Sequence, residues 1–171
     1  FKVIMDKLNL TSDDIYCEVG CGGGILLNMA MSLAKQGAAI DLSPDMVQLS
    51  IKNNQQPVDD EKLEIIRGSA EKLPWASNTF TACASANMFF FVEKPEAMLS
   101  EITRVLKPGG RFVMVTASTS LLVKIFFGLL YKLKVYSNQK MRSMLETAGL
   151  ANVSVKTTKF GTLQVCNGEK A

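Results

Sequence analysis

Glu18-Val19-Gly20-Cys21-Gly22-Gly23-Gly24 and, further on, Asp41 are the residues whose types and spacing most directly suggest chemistry. Glycines at 20 and 22 let a chain turn sharply and let a ligand lie against the backbone, where any Cβ would intrude. A helix pattern starts directly afterwards, and the first turn of a helix offers unpaired N–H groups to an anion. Asp41 follows Gly20 by 21 residues, close to the spacing at which an acid accepts the two hydroxyls of a ribose. The same residues also suit a plain tight turn with an acid near a helix start; the strand–helix context and Asp41 together favour a nucleoside-bearing ligand. A dinucleotide fingerprint wants its third glycine at position 25 for helix packing, but Ile25 stands there and the third glycine is Gly24. Glu18, directly before the loop, repels a pyrophosphate and suits a ligand carrying an ammonium group. A nicotinamide dinucleotide is disfavoured on both counts.

What the chain lacks narrows the chemistry further. It contains no histidine, which excludes histidine-based triads, histidine metal sites and a histidine general base. Among the four cysteines only Cys17 and Cys21 are close in sequence, so no second pair completes a zinc site, and buried thiols are the expectation. No metal is expected. The formal charge of +3 over 171 residues is too small to imply nucleic-acid binding. No apolar run reaches a membrane span; residues 121–130 are interrupted by Lys124 and Gly128. The chain opens on Phe1 without a signal peptide, which reads as a cytoplasmic domain taken from a longer chain or processed at its N-terminus.

The elements that must position these residues alternate along the chain. Strand patterns fall at 14–19, 38–42, 63–67, 80–86, 111–116, 152–157 and 161–166. Helix patterns fall between them. One spans 25–35 on Leu26, Met29, Ala30 and Leu33, with Gly37 expected as a left-handed cap just beyond. The next begins at Ser43-Pro44-Asp45 (cap, first-turn proline and acid) and fades at Asn53, Asn54 and Pro57. A third opens at Pro95 with Met98, Leu99, Ile102, Val105 and Leu106 on one stripe, and stops at Lys107-Pro108-Gly109-Gly110. An apolar helix at 121–133 and an amphipathic one at 139–148 follow. Strands separated by helices indicate a doubly wound, mostly parallel seven-stranded sheet with helices on both faces. The short link between the last two strands makes that pair antiparallel. One domain spans 1–171.

At this level the residues resemble the class I S-adenosylmethionine-dependent methyltransferases, in particular the small-molecule group that includes the ubiquinone and menaquinone biosynthesis methyltransferases. The resemblance covers nearly the whole chain. The glycine segment resembles the family's E/D-x-G-x-G-x-G; Asp41-Leu42-Ser43-Pro44-Asp45-Met46 resembles D-x-S-x-x-M. Gly68-Ser69-Ala70-Glu71-Lys72-Leu73-Pro74-Trp75 resembles G-D-A-E-x-L-P-F, and Arg104-Val105-Leu106-Lys107-Pro108-Gly109-Gly110 matches R-V-L-K-P-G-G. The resemblance implies a Rossmann-like fold that binds S-adenosylmethionine and releases S-adenosylhomocysteine. It implies that Gly20, Cys21 and Gly22 pass beside the cofactor's methionine part and that Glu18 helps hold its amino group. Asp41 accepts the ribose hydroxyls, Leu42 and Met46 border the adenine, Ala70 contacts its edge through the backbone, and Asn87 lies near the reacting centre.

Two positions depart from the pattern. Ser69 stands where the family carries an acid for the adenine amino group, a loss of about 1 kcal/mol. Thr81 replaces an acid in the fourth strand, a change expected to be mostly a matter of stability. No base is assigned; Tyr131 and Tyr136 are weak candidates, since surface or packing tyrosines explain them better. Residues 118–142 form a basic, apolar insertion on the substrate side, and Phe89, Phe90 and Phe91 suggest a greasy pocket. These suit a small, apolar acceptor of lipid-like or quinone-like character, and peripheral membrane contact through 119–135; the insertion equally suits packing under an N-terminal region or in a subunit interface, and core packing accounts for at least one of the three phenylalanines. An N-terminal cap is expected to be missing, and oligomeric state stays open. The alternative is a non-catalytic methyltransferase-like domain that binds the cofactor or a partner, kept alive by Ser69 and Thr81.

Overall fold

The computed structural model describes residues 1–119, 134–158 and 161–171. Seven strands form one sheet in the order β3-β2-β1-β4-β5-β7-β6. In chain order they are β1 (Ile15–Val19), β2 (Gln36–Asp41), β3 (Leu63–Arg67), β4 (Phe80–Ala86), β5 (Leu106–Ala117), β6 (Leu150–Thr157) and β7 (Leu163–Lys170). The first five pair in parallel, and β7 runs antiparallel between β5 and β6. The expected sheet and the antiparallel last strand are thus what the chain forms. The strand order reverses between β1 and β4, and in such a sheet the loops at the carboxyl ends of these strands part to leave a crevice.

Alternating burial along the strands divides the interior into two cores. On one face α1 (Lys2–Leu8) and α2 (Ile25–Met31) bury Ile4, Leu8, Leu26, Leu27 and Ala30 against Tyr16, Ala82, Ala84 and Val113. On the other, α5 (Pro95–Val105) and α6 (Asn138–Thr147) bury Met98, Leu99, Ile102, Met141 and Leu145 against Cys17, Cys83 and Phe112. Between them in sequence lie α3 (Pro44–Asn53) and the short α4 (Gln55–Asp59). Each buried side chain of this size is worth about 1.5–3 kcal/mol over exposure, so the two faces supply the bulk of the driving force.

Three local expectations change on contact with the structure. The helix begun at Ile25 ends at Met31, and its buried face is Leu26, Leu27 and Ala30, while Met29 and Leu33 are exposed. Gly37 is no cap: it lies inside β2, paired with Tyr16 and Leu63, where an added Cβ would meet Met31 Sδ at 2.4 Å. Residues 107–110 bulge out of β5, since Phe80 pairs with Leu106 while Ala82 pairs with Arg111. The expected helix at 121–133, Tyr131 and most of the 119–135 membrane segment lie outside the described residues. Among the described residues no helix is long and apolar enough to cross a membrane.

Thr81 has a partner that local sequence does not reveal. Its hydroxyl donates to Asp14 Oδ1 at 2.6 Å and accepts from the Ile15 N–H at 3.0 Å. Arg111 donates to the same Asp14 oxygen at 2.8 Å, and the Thr11 N–H donates to Oδ2 at 2.8 Å. The carboxylate of this buried cluster therefore comes from the segment before β1 instead of from β4. Burial alone raises the pKa of Asp14, but the hydrogen bonds from Thr81, Thr11 and Arg111 outweigh it and hold the carboxyl below its ordinary value. A lowered folded-state pKa adds stability above the ordinary carboxylate range and loses it as the pH falls through the folded value. Asp14→Ala is expected to lower the urea-unfolding free energy by about 2–3 kcal/mol at neutral pH, with the deficit narrowing in acid. An unchanged midpoint at neutral pH would contradict this account.

Candidate functional site

The crevice at the switch point is a cavity of about 730 Å³. Its walls come from four segments at the carboxyl edge: Gly20 and Gly22 after β1, Asp41 to Ser43 at the end of β2, Gly68 to Glu71 after β3, and Asn87, Met88 and Phe91 to Glu93 after β4. Asp41 ties two of these loops together. Its Oδ2 accepts the Gly22 N–H at 2.8 Å and its Oδ1 accepts the Ser43 N–H at 3.0 Å. Each oxygen retains a lone pair for a ligand hydroxyl, and the carboxylate is oriented before any ligand arrives. Ser43 then caps α3, its hydroxyl accepting from the Met46 N–H at 3.4 Å, with Pro44 in the first turn.

The glycine loop is held from below by two asparagines at the end of α3. Asn53 Nδ2 donates to the Gly23 carbonyl at 2.8 Å, and Asn54 Nδ2 to the Gly24 carbonyl at 3.1 Å. Gly24 adopts φ +78°, and a Cβ there would meet Ser50 Oγ at 2.4 Å, so only glycine lets α2 approach α3 this closely. Gly22, at φ +51°, faces the opposite situation: an added Cβ meets nothing within 4 Å. The space a side chain would fill there belongs to the cavity.

The loop after β3 is fastened by the arginine of the turn motif. Arg104 donates to both Glu101 oxygens at 2.7 and 2.9 Å, and to the carbonyls of Leu73 and Trp75 at 3.0 and 2.8 Å. Glu101 in turn accepts the Leu73 N–H at 2.7 Å. Two sequence motifs that lie more than twenty residues apart are thus one brace, which presents Ser69 and Ala70 to the cavity. Ser69 Oγ accepts the Glu71 N–H at 3.2 Å, and Glu71 Oε1 accepts the Lys94 N–H at 2.9 Å.

Of the ten residues singled out from sequence, Gly20, Gly22, Asp41, Leu42, Ser69, Ala70 and Asn87 lie together on the cavity wall. Glu18, Cys21 and Met46 do not. Cys21 is buried, and burial pushes its thiol up to about 12, so it supplies no thiolate at neutral pH. Met46 is on α3, exposed and not part of the lining. Glu18 is buried behind the wall with Tyr16 Oη donating to it at 3.2 Å. Tyr136 packs edge-to-face on Phe89 with centroids 6.0 Å apart, and burial raises its pKa, which keeps the phenol protonated and unavailable as a base at neutral pH. Reading along the sequence missed Glu71, Glu93 and the paired asparagines; the Asn53-Asn54 dipeptide past a helix end was the available signal.

Comparison with known proteins adds a family. The profile described as "Methyltransferase domain" matches residues 17–114, more than half of the chain. The chain is 34% identical over 125 residues to the mitochondrial ubiquinone biosynthesis O-methyltransferase of Schizosaccharomyces pombe, covering 71% of this chain and 44% of that protein. It is 26% identical to the demethylmenaquinone methyltransferase of Oceanobacillus iheyensis, covering 99% and 83%. It therefore spans less than half the length of the S. pombe relative. Geranyl diphosphate C-methyltransferase of Streptomyces coelicolor, solved with S-adenosyl-L-homocysteine, shares the fold with a TM-score of 0.84 at 16% identity, covering 99% of this chain and 78% of that one.

Burial pushes the Glu18 carboxyl up to about 8; the Tyr16 hydroxyl offsets part of this and the nearby Asp41 charge adds to it. Between the ordinary carboxylate range and about 8 the folded chain therefore holds a proton that the unfolded chain has released. The contribution of Glu18 to stability is full in acid and falls as the pH rises through that window. Glu18→Gln is expected to match the wild-type Tm in acid and to exceed it by several degrees at about pH 8. Equal Tm values on the alkaline side would show that the carboxyl is not buried as described.

Proposed function

The chain belongs to the methyltransferase domain family, whose cofactor is S-adenosylmethionine, and on that premise we propose that it transfers the cofactor's methyl group to a small, apolar acceptor. The observation that carries this reading is Asp41, a pre-oriented carboxylate at the mouth of a cavity whose floor is the open glycine loop. Asp41 accepts the two ribose hydroxyls, Leu42 and Ala70 border the adenine, and Ser69 offers a hydroxyl beside it. The Gly20–Gly22 backbone passes along the amino-acid portion, and Asn87 lies at the reacting end. Glu18, buried and holding its proton at neutral pH without a ligand, acts on the ligand's ammonium group by giving up that proton when the ligand binds.

S-adenosylmethionine supplies an electrophilic methyl on a sulfonium, which departs as a neutral thioether when a nucleophile displaces it. What remains for the protein is alignment and exclusion of water. The walls built by Met88, Phe91 and Val92 serve both purposes. Similarity to enzymes named for ubiquinone and menaquinone biosynthesis, together with these apolar side chains, supports a quinone-like or lipid-like acceptor.

Calorimetric titration of S-adenosylmethionine and S-adenosylhomocysteine tests the cofactor half of the reading. Micromolar binding is expected for both, with NAD showing none. Asp41→Ala is expected to weaken binding about 10- to 100-fold, the worth of charge-assisted hydrogen bonds. Affinity unaffected by Asp41→Ala would remove the central residue. Transfer of labelled methyl to apolar phenols and quinols then separates an enzyme from a non-catalytic relative.

A further inference from the structure

Three consecutive phenylalanines follow β4, and the fold gives them three different environments. Asn87 turns the chain with φ +56°, its N–H donating to the Val115 carbonyl at 2.8 Å. Phe89 enters the core, fully buried against Tyr136. Phe90 is half-buried and meets the ring of Phe91 with centroids 4.5 Å apart at 61°. Phe91 itself is 65% exposed and lines the cavity beside Met88 and Val92. An aromatic ring packed on its neighbour and left bare at a cavity edge is suited to cover an apolar ligand face.

The ionisable side chains that line the cavity have one sign, while Lys94 and Lys134 belong to or contact the same turn without lining it. The ionisable side chains on the cavity wall are Asp41, Glu71 and Glu93, and among the described residues no lysine or arginine lines it. Glu71 is hydrogen-bonded to the backbone of the turn that carries Phe91, through the Lys94 N–H. Glu71 and Glu93 therefore flank the aromatic wall. Lys134, the nearby cation, donates from Nζ to the Glu93 carbonyl at 2.6 Å and is not part of the lining. In a cavity partly shielded from water, like charges at this end penalise an anionic ligand and leave a neutral one unaffected.

We infer that the methyl acceptor packs an apolar face on Phe91 and carries no anionic group at that end, so that carboxylate-, sulfonate- and diphosphate-bearing molecules are rejected by Glu71 and Glu93. The inference rests on the cofactor reading above and narrows its substrate class. It also sets the chain apart from a fold neighbour that is solved with geranyl diphosphate bound.

The test uses two fluorescent probes of one ring system, neutral N-phenyl-1-naphthylamine and its sulfonate 1-anilinonaphthalene-8-sulfonate. Both are titrated into the full chain with S-adenosylhomocysteine and again without it. The neutral probe is expected to bind at least tenfold more tightly. Phe91→Ala is expected to weaken it about tenfold, and Glu71→Gln with Glu93→Gln to narrow the gap between the probes by strengthening the sulfonate. Equal affinity of the two probes for the wild-type chain, or an unchanged neutral probe in Phe91→Ala, overturns the inference. The S-adenosylhomocysteine affinity of each protein is read separately. Its absence in the wild-type chain, with the probe preference intact, overturns the cofactor reading and leaves an anion-rejecting apolar site at Phe91.

Discussion

One carboxylate organises the carboxyl edge of this sheet. Asp41 stands at the end of β2, next to the strand that carries the glycine loop, and its two oxygens are engaged by the backbone N–H groups of Gly22 and Ser43. The first bond fixes the loop after β1 and the second fixes the entry to α3. From α3 the chain returns Asn53 and Asn54 to the loop carbonyls, closing a circuit that begins and ends at the glycines. No large side chain is needed to shape the floor of the cavity, because backbone amides and amide side chains define it. A charged acceptor bound to main-chain donors is also stronger than a neutral one, so the geometry is set before a ligand enters.

The second wall depends on a different pairing. Arg104 is planar and reaches Glu101 with two parallel bonds while its remaining donors hold the Leu73 and Trp75 carbonyls. The arginine of the R-V-L-K-P-G-G turn thereby supports the segment that bears Ser69 and Ala70. A motif that reads as a helix stop is at the same time the brace for the nucleoside side of the cavity. The Asp14–Thr81–Arg111 cluster plays the corresponding part at the opposite edge of the sheet, far from the cavity and concerned with stability.

Much of this was legible from local pattern. The bounds of β3 and β4, the Ser43-Pro44 helix start and the stripe of α5 were read directly, because each rests on periodicity or on caps a few residues wide. Many of the cavity residues of the four loops, though not Glu71 or Glu93, were legible for a related reason: a fold of this kind brings the carboxyl ends of its parallel strands to one edge, so motifs at those ends must meet. What was not legible depends on distant partners. Thr81 finds Asp14 67 residues away, and Arg111 finds it 97 residues away. Gly37 looked like a cap because the helix before it was read four residues too long; the tertiary contact with Met31 is what demands a glycine there. Glu18 sits in the motif as expected but is buried behind the wall, a depth that alternation along β1 does not reveal.

The central claim is that the four loops tied by Asp41 form the cofactor site, and amide hydrogen exchange of the full chain with and without saturating S-adenosylhomocysteine tests it most directly. The account predicts slowed exchange in peptides covering residues 20–24, 41–46, 68–71 and 87–93, including the Gly22 and Ser43 amides, with β6 and β7 unchanged. Unchanged exchange at all four loops, or protection confined to another part of the sheet, would contradict it.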